Sequence, residues 1–578
     1  MDQKIQERAQ LWQESIDEPA LVEELSDLLA KNDEESIVDA FYRDLEFGTA
    51  GLRGVLGVGT NRMNAYTVSQ ATQGLADYLN AHKGEEVPTV AIMRDSRNKG
   101  EDFVKAAAGV LAANGIKTFV APRIEPVPVL SFTVRHLKTD AGIVITASHN
   151  PAPYNGYKVY GPDGAQIANE AADEIQTAIN NTDIFNDVKK MGFDEAQEKG
   201  FVTWVEDAVI EAYLDAIQKV SVPDCVAEDG SFKVVYSPLN GTGLETVTAI
   251  LSRVGIDNVT VVPEQREPNG DFPTCPYPNP EVRAALQKGL ELCDQVKPDL
   301  MLATDPDADR VGIAVPHDGD YKLLSGNEVG VLLIDWLCRV KQEAGEDVST
   351  KVCVSTIVSS SMPDALAAHY GFEMRRVLTG FKYIGEQIEM LTDKGEGDRY
   401  LLGFEESYGY LAGTHARDKD AVVASMLICE MAGWYAKKGM DLYEAMDALY
   451  QEFGFHLNGI VNVEFQGAAG ADKMAAIMKG LRAQQPLTVA GYDVEGYTDY
   501  ADCVAMPMVN QKDGDLDQTL PAANVLEFRL SGGHKVIVRP SGTEPKIKAY
   551  LFTAGATREE AEAVQDKLAV FAKESLLA

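Results

Sequence analysis

The first candidate for chemistry is Ser148, which lies in the segment Thr146-Ala147-Ser148-His149-Asn150-Pro151 after the apolar run 141–145. A serine just past a strand end, in a loop that a proline stiffens, is well placed to face a ligand crevice. Serine, asparagine and proline also favour ordinary turns, so the local sequence leaves a purely structural interpretation open. If the loop is functional, the Ser148 hydroxyl is its candidate nucleophile.

The second candidate is the acidic loop Thr304-Asp305-Pro306-Asp307-Ala308-Asp309-Arg310, which follows a strand predicted over 299–303. Carboxylates at alternate positions converge on one hard cation when such a loop curls, and magnesium prefers oxygen ligands. An EF-hand calcium loop is excluded, because Arg310 stands where that pattern needs glycine and Pro316 where it needs glutamate. The loop therefore predicts a magnesium site, with a solvated acidic turn as the alternative.

Two further loops carry groups that suit a phosphorylated sugar. The loop 539–545, RPSGTEP, offers a guanidinium, hydroxyls and glycine-exposed N–H groups to a phosphate dianion. The loop 403–410, GFEESYGY, follows a predicted strand over 399–402 and presents Glu405 and Ser407 to sugar hydroxyls. A turn in the first loop, and a helix start capped by Ser407 in the second, are the structural alternatives.

Cationic residues occur near these loops in sequence. Arg53 lies in the glycine-rich segment 48–54, which we predict to be a flexible loop, and Lys158 lies ten residues past Ser148. Downstream of the GFEESYGY loop, His415, Arg417 and Lys419 add further positive groups. These residues are the candidates for proton transfer and for binding an anion.

The elements that position these loops follow one repeated order of strand, polar or glycine-rich turn, helix, glycine and strand. We predict this order over 89–121, 232–263 and 351–377, with Gly115, Gly255 and Gly371 as helix stops. Such alternation predicts mixed or parallel sheets covered by helices. The C-terminal stretch differs. Strands 525–530 and 535–538 flank a hairpin turn. A helix from about Arg558 follows, with Thr557 and Glu560 placed as a capping box.

Composition limits the class of protein. The 578 residues predict several domains, and 52 basic against 89 acidic residues give a net charge of −37. Such a surface repels nucleic acid and anionic membranes. The seven cysteines are scattered without a CxxC pair, which favours a reducing compartment. The N-terminus does not resemble a signal peptide, and no apolar run reaches the ~18 residues that span a bilayer. We therefore expect a cytoplasmic protein.

Taken together, these segments resemble the α-D-phosphohexomutases, the phosphoglucomutase and phosphomannomutase superfamily. The resemblance covers essentially the whole chain and keeps the family's motif order: GTAGLRG, TASHNP, NGYK, DPDADR, TGFK, GFEESYGY and RPSGTEP. It implies an α/β fold in which three similar α/β domains with mixed sheets and a smaller α+β C-terminal domain surround a central cleft. The expected domains are 46–208, 209–322, 323–455 and 456–578, after an N-terminal helical extension over 1–45.

The resemblance also implies roles for single residues. Ser148 resembles the family's phosphoserine, and it is expected to bind magnesium together with Asp305, Asp307 and Asp309. Arg53, His149, Lys158 and Lys419 match catalytic positions, with Lys158 as the leading general base and Lys419 as its rival. The expected substrate-binding residues are Arg310, Thr379, Gly380, Glu405, Ser407, Arg539, Ser541, Gly542 and Thr543. Ala50 stands where many members carry serine.

The implied activity is interconversion of glucose 1-phosphate and glucose 6-phosphate through glucose 1,6-bisphosphate, with Mg²⁺ as cofactor. Glu406 between Glu405 and Ser407 favours glucose over mannose phosphates, whose enzymes more often carry methionine there. Phosphopentomutase and phosphomannomutase remain alternatives, as does a phosphatase in which Asp305 is the nucleophile. The expected partners are small sugar phosphates, without nucleic acid or membrane, for a monomer or homodimer.

Overall fold

The computed structural model describes residues 2–48, 51–227, 229–465, 469–501, 520–540 and 546–576. The chain forms two compact units. Unit 1 contains Met1–Ser221, Glu228–Ile313 and Thr414–Met426, and unit 2 contains Val222–Ala227, Ala314–Gly413 and Leu427–Ala578. None of the helices in the described ranges is long and apolar enough to cross a membrane.

Unit 1 begins with three short helices, as the amphipathic N-terminus predicts: α1 (Gln3–Ser15), α2 (Pro19–Ala30) and α3 (Glu34–Phe41). The side chains of Asp2 and Asp33 cap α1 and α3 by accepting backbone N–H groups of the first turn. The buried ring of Trp12 packs edge-on against Phe41 at a centroid distance of 5.8 Å. These helices therefore have an apolar core of their own.

The first sheet of unit 1 has six strands: β1 (Gly51–Val55), β2 (Thr89–Arg94), β3 (Lys117–Val120), β4 (Ala141–Ile145), β5 (Tyr154–Tyr160) and β6 (Val202–Trp204). Their order is β1-β5-β4-β2-β3-β6. The sheet is mixed, because β2, β3, β4 and β6 run parallel while β5 is antiparallel to both β4 and β1. The accompanying helices are α4 (Ala65–Lys83), α5 (Gly100–Ala113), α6 (Val127–Leu137), α7 (Asn169–Asn180), α8 (Phe193–Glu198) and α9 (Asp207–Gln218).

A second sheet contributes β7 (Val234–Ser237), β8 (Val259–Val261), β9 (Leu300–Thr304) and the start of β10 (Val311–His317) to unit 1, in the order β10-β9-β7-β8. Strand β7 is parallel to both β8 and β9. Its helices are α10 (Gly243–Arg253), α11 (Pro263–Arg266) and α12 (Arg283–Val296). The carboxyl ends of parallel strands meet at one sheet edge, so β9 delivers the acidic loop to that edge.

Unit 2 contains the end of β10, then β11 (Asp320–Leu324), α13 (Gly326–Glu343), β12 (Val352–Thr356), α14 (Met362–Tyr370), β13 (Glu373–Val377), α15 (Phe381–Asp393), β14 (Tyr400–Glu405) and β15 (Gly409–Leu411). The four-stranded sheet has the order β13-β12-β14-β15. Strand β12 is parallel to β13 and β14, and β15 is antiparallel to β14. Helix α16 (Ala421–Lys437), which begins in unit 1, and helix α17 (Leu442–Phe453) follow.

The C-terminal part of unit 2 is an antiparallel sheet of β16 (Phe455–Glu464), β17 (Thr488–Val489), β18 (Tyr492–Asp499), β19 (Leu526–Leu530), β20 (His534–Pro540) and β21 (Lys546–Gly555). Their order is β16-β21-β20-β19-β18-β17. Apolar residues of these strands form one core with α18 (Ala469–Ala483) and α19 (Arg558–Phe571). The predicted hairpin is confirmed, because β19 and β20 pair antiparallel. The predicted fold class, with three α/β parts containing mixed sheets and a smaller α+β C-terminal part, is therefore confirmed.

The predicted helix stops are also confirmed, since Gly115, Gly255 and Gly371 have φ values of 79°, 81° and 85°. The C-terminal cap differs in one detail from the predicted capping box. Thr557 accepts the Glu560 N–H at 3.2 Å, but the Glu560 carboxylate accepts from Ala556 rather than from Thr557.

Gly255→Ala tests the left-handed stop after α10. A Cβ at Gly255 would meet nothing within 4 Å, so the alanine is unfavourable only because of the left-handed backbone conformation. We expect this to lower the free energy of unfolding by about 1 kcal/mol. Gly480→Ala is the matched control, because Gly480 lies inside α18 with equally open space and gains about 0.5–1 kcal/mol of helix propensity. Urea unfolding should show the two opposite signs; a Gly255→Ala variant as stable as the wild type would contradict the assignment.

Candidate active site

Ser148 follows β4 by three residues and is held in a rare backbone conformation. Its φ is 49°, and only 3% of the residue is exposed. The Thr146 hydroxyl oxygen accepts the Ser148 N–H at 2.8 Å. A non-glycine residue in the left-handed region costs energy, so other contacts must hold it there.

Arg97 supplies those contacts, and the sequence did not identify it. Its buried guanidinium donates to four backbone carbonyls of the Ser148 loop, those of Ser148, Asn150, Pro151 and Tyr154. Asp95 lies 3.3 Å from Arg97 Nε and also accepts from the Thr146 hydroxyl at 2.6 Å. Asp95 and Arg97 follow the end of β2 as Ser148 follows β4, and that shared position at the sheet edge could have revealed them.

The acidic loop curls around the side chain of its first aspartate. Asp305 Oδ1 accepts the N–H groups of Asp309 at 3.1 Å and Arg310 at 3.0 Å, while Ala308 takes a φ of 50°. Asp305 Oδ2 accepts the Ser148 hydroxyl at 2.8 Å. The loop after β9 and the loop after β4, which are 157 residues apart in sequence, thus meet at the candidate nucleophile.

The three aspartates fit a divalent cation. One oxygen from each of Asp305, Asp307 and Asp309 lies within 4.8 Å of the others, and all three side chains are buried. The Oδ1 atoms of Asp307 and Asp309 accept no hydrogen bond within the described residues. Buried carboxylate oxygens without partners are costly, and hard oxygen donors are what Mg²⁺ prefers. The Asp-rich site could therefore bind a metal ion.

The backbone of the acidic loop is fixed by three neighbouring segments. Val127 N–H donates to the Asp307 carbonyl at 2.9 Å, Thr242 N–H to Pro306 at 2.9 Å, and Ala421 N–H to Ala308 at 3.2 Å. Gly241 allows this approach, because a Cβ there would lie 2.4 Å from Pro306 Cα. Gly241, which precedes α10, thus serves close packing on the acidic loop.

Two lysines face the aspartates. Lys158 Nζ, on β5, lies 3.0 Å from Asp307 Oδ2 and 3.9 Å from Asp309 Oδ2. Lys419 Nζ lies 3.2 Å from Asp309 Oδ2 and 3.0 Å from Asp418 Oδ1. Both lysines that the sequence proposed as general bases therefore contact the carboxylate cluster.

The aspartates differ in their electrostatic surroundings. Burial and the neighbouring carboxylates of Asp307 and Asp309 raise the pKa of Asp305 well above its usual range. Burial would also raise the pKa of Asp309, but Lys419 and Lys158 outweigh it and hold that pKa below its usual range. A cation among the three carboxylates would relieve the repulsion that Asp305 experiences.

His149 and Arg310 flank the site. Burial, with the charges of Arg310 and Arg53, lowers the pKa of His149 well below its usual range, so the imidazole is neutral at pH 7. Its Nδ1 lies 3.3 Å from Ser148 Oγ. Arg310 Nη1 forms an ion pair with Glu281 at 2.8 Å, and its Nε is 3.7 Å from Asp309.

Arg53 lies in strand β1, so the prediction of a flexible loop at this residue was wrong. Gly51 permits close strand pairing, since a Cβ there would lie 1.9 Å from the Tyr157 carbonyl oxygen on β5. Arg53 Nη1 donates to Asn150 Oδ1 at 3.2 Å, which places the guanidinium beside the Ser148 loop.

Unit 2 holds the residues that the sequence associates with sugar binding. Glu405 is the last residue of β14, and its Oε1 accepts the Gly380 N–H at 2.9 Å. The buried Thr379 hydroxyl makes no hydrogen bond in the described part of the chain. Ser407 is half-buried in the turn between β14 and β15, so a helix start at this serine is excluded.

Arg539, on β20, also lies in unit 2. Burial raises the pKa of Tyr550, Glu406 adds to the rise, and a hydrogen bond with Arg539 opposes it. Arg539 and the GFEESYGY loop therefore lie near the same tyrosine. The remaining predicted phosphate-binding residues, Ser541, Gly542 and Thr543, lie outside the described residues.

Three family models match the chain. They describe α/β/α domains I, II and III of phosphoglucomutase/phosphomannomutase and match residues 44–184, 211–319 and 325–453. A phosphoglucomutase from Staphylococcus saprophyticus is 37% identical over 541 residues, which cover 93% of this chain and 95% of that protein.

Solved structures show the same fold at low identity. Parafusin, a phosphoglucomutase from Paramecium, superposes with a TM-score of 0.67 at 19% identity and covers 92% of this chain and 96% of its own. An N-acetylphosphoglucosamine mutase from Aspergillus fumigatus, solved with GlcNAc-6P and magnesium, superposes with a TM-score of 0.50 at 14% identity, covering 96% and 99%.

Asp307→Asn tests the metal site independently of any activity. Loss of one anionic ligand should weaken Mn²⁺ or Mg²⁺ binding at least about tenfold, measured by isothermal titration calorimetry on the folded protein. Asp294→Asn is the control, because this aspartate is 75% exposed on α12 and should leave the affinity unchanged. Equal affinities of wild type and Asp307→Asn would rule out this cluster as the cation site.

Proposed function

Because this chain belongs to the phosphoglucomutase/phosphomannomutase family, we propose that it is a phosphoglucomutase. It interconverts α-D-glucose 1-phosphate and glucose 6-phosphate through a phosphoserine enzyme and enzyme-bound glucose 1,6-bisphosphate. The observation that carries this proposal is the 2.8 Å contact between Ser148 Oγ and Asp305, within a cluster of three aspartates and two lysines. This arrangement supplies a nucleophile, an anionic cation site and proton acceptors in one unit.

The first half-reaction starts from phosphorylated Ser148. The 6-hydroxyl oxygen of glucose 1-phosphate forms a bond to phosphorus while the bond from phosphorus to Ser148 Oγ breaks. The hydroxyl proton passes to a neutral lysine, and the departing Ser148 oxygen takes up a proton in return. In the second half-reaction the bisphosphate has reoriented. Ser148 Oγ gives up its proton and forms a bond to the phosphorus at position 1, while the bond from that phosphorus to sugar O1 breaks and O1 takes up a proton. Glucose 6-phosphate is released and the phosphoserine is restored.

Asp305, Asp307 and Asp309, with the phosphate of phospho-Ser148, would hold Mg²⁺. When bound, Mg²⁺ offsets charge on the transferring phosphoryl group. Support comes from the Oδ1 atoms of Asp307 and Asp309, which accept no hydrogen bond in the described part of the chain. The magnesium in the Aspergillus mutase structure is consistent with this choice of ion.

Lys158 is our proposed general base, and Lys419 is its rival. Lys158 lies on β5, which pairs antiparallel with β4, and β4 leads into the Ser148 loop. The Lys158 Nζ contacts Asp307 and Asp309. Lys419 contacts Asp309 and Asp418. Arg53 would neutralise phosphate charge beside Ser148, and neutral His149 would act as a hydrogen-bond partner of its oxygen.

The remaining residues would bind substrate. Glu405 and Ser407 would accept and donate hydrogen bonds to sugar hydroxyls, with Thr379 and Gly380 beside them. Arg539, Ser541, Gly542 and Thr543 would bind the phosphate that does not react, and Arg310 would contact the reacting one.

Several finer properties belong to the same proposal. We propose a preference for glucose over pentose and mannose phosphates, glucose 1,6-bisphosphate as activator, and a cytoplasmic monomer or homodimer. We also keep the domain boundaries 46–208, 209–322, 323–455 and 456–578 as a proposal, with the extension at 1–45. The reason for proposing a preference for glucose phosphates is the presence of Glu406 between Glu405 and Ser407.

Ser148→Ala should abolish mutase activity, lowering kcat at least about a thousandfold, because the phosphoryl group loses its carrier. Ser252→Ala, at an exposed serine of α10, should retain full activity. Activity is measured by coupling glucose 6-phosphate formation to a dehydrogenase. A fully active Ser148→Ala variant, or phosphate trapped on Asp305 instead, would overturn the proposal.

Lys158→Ala should lower kcat at least about a hundredfold, since general-base catalysis contributes that much. Methylamine should partly restore this variant, and the restored rate should rise with pH as the neutral amine becomes more abundant. Lys419→Ala serves as the comparison and should show a smaller loss without amine rescue. The reverse pattern would transfer the general-base role to Lys419.

A further inference from the structure

The N-terminal helices α1–α3 precede the matched family segments, the first of which begins at residue 44. They nevertheless contact the segment 56–62, which directly follows β1 and hence the strand that carries Arg53. Helices α2 and α3 form hydrogen bonds with the segment 56–62, and Trp12 of α1 packs nearby in unit 1.

Helix α2 contacts the start of this segment through Glu24. Its Oε2 accepts the Val58 N–H at 3.0 Å. Its other carboxylate oxygen lies beside Gly57, where a Cβ would be 2.8 Å away and where φ is 145°. A carboxylate that receives a backbone N–H from an otherwise irregular segment fixes that segment relative to the helix.

Helix α3 contacts the end of the segment. Asn61 N–H donates to the Ala40 carbonyl at 2.9 Å, and Asn61 Nδ2 donates to the Asp39 carbonyl at 3.0 Å. The Asp39 carboxylate forms an ion pair with Arg62 at 2.5 Å. Gly59 permits this approach, because a Cβ there would lie 2.5 Å from the Ala40 carbonyl oxygen.

The helices themselves are anchored to the α/β body of unit 1. Trp12 packs against Phe41, Tyr66 and Phe185 at centroid distances between 5.6 and 5.8 Å. The Tyr66 hydroxyl donates to Asp17 at 2.6 Å and accepts the Asp17 N–H at 2.8 Å. Because Tyr66 belongs to α4, the apolar core of the N-terminal helices includes a residue of the α/β part of unit 1.

The segment 56–62 connects the N-terminal helices to the candidate active site. Leu56 N–H donates to the Pro153 carbonyl at 2.8 Å, in the loop that also contains Ser148. Strand β1 pairs with β5, with Arg53 opposite Gly156, and Arg53 donates to Asn150. A shift of the segment would therefore move both Arg53 and its partner loop.

We propose that the N-terminal helices position the Arg53 guanidinium against the Ser148 loop, with Glu24 and Asp39 as positioning residues. The inference rests on the proposed function, because Arg53 acts there on the transferring phosphoryl group. An interaction made mainly in the transition state affects kcat rather than substrate binding. Displacing Arg53 should therefore lower kcat and leave KM nearly constant.

Glu24→Ala removes the acceptor for the Val58 N–H and should lower kcat about tenfold, with KM within about twofold of the wild type. Glu24→Gln keeps an acceptor oxygen and should retain most of the activity. Glu23→Ala, at the exposed neighbouring position on α2, should match the wild type. Each protein is assayed on glucose 1-phosphate after circular dichroism has confirmed that it is folded.

Combining Glu24→Ala with Arg53→Met distinguishes positioning of Arg53 by Glu24 from a purely stabilising role of Glu24. If Glu24 acts through Arg53, the double variant Glu24→Ala/Arg53→Met should have a kcat less than about twofold below that of Arg53→Met alone. The guanidinium that Glu24 would position is already absent in Arg53→Met. Full additivity of the two losses, or a wild-type kcat for Glu24→Ala, would overturn the inference. An inactive wild-type protein would instead overturn the proposed function.

Discussion

Three carboxylates are buried together in unit 1, and the architecture around Ser148 depends on compensating their charge. Asp305, Asp307 and Asp309 are nearly inaccessible to water, and buried anions without partners are unstable. Lys158 and Lys419 offset part of the charge, and backbone N–H groups and the Ser148 hydroxyl offset more. The Oδ1 atoms of Asp307 and Asp309, which accept no hydrogen bond within the described residues, are the reason that we propose a cation site here rather than a structural ion-pair network.

The same local compensation explains how a protein with a large net negative charge could bind the anionic substrates that we propose. A net charge of −37 is spread over the whole chain, and at physiological salt the field of exposed charges decays over ~8 Å. The site in unit 1 gathers its cations locally, from Arg53 on β1, Lys158 on β5 and Lys419 before α16. The phosphate binding that we propose therefore rests on this local arrangement of cations and not on the net charge.

The sequence predicted much of the fold and the centre of the site, because the relevant signals are local. Helix 362–370 is observed with the predicted bounds, since Gly371 ends it, and strand 141–145 is observed as predicted. Ser148 and the aspartates were found because each motif is contiguous in the chain. Arg97 was missed because its role depends on reaching backbone carbonyls more than fifty residues away. Arg53 was misassigned to a flexible loop because the nearby Gly51 serves close strand pairing, which composition does not distinguish from flexibility.

The central claim is that Ser148 itself carries the phosphoryl group between the two ends of the sugar. The most direct test is a single turnover of protein phosphorylated in advance, mixed with an equal amount of glucose 1-phosphate and quenched in acid. Peptide mass spectrometry should show the Ser148 peptide losing about 80 Da, the mass of one phosphoryl group, as glucose 1,6-bisphosphate appears in equal amount. Bisphosphate formed while the Ser148 peptide keeps its mass, or a phosphoryl group found on Asp305 instead, would contradict the account.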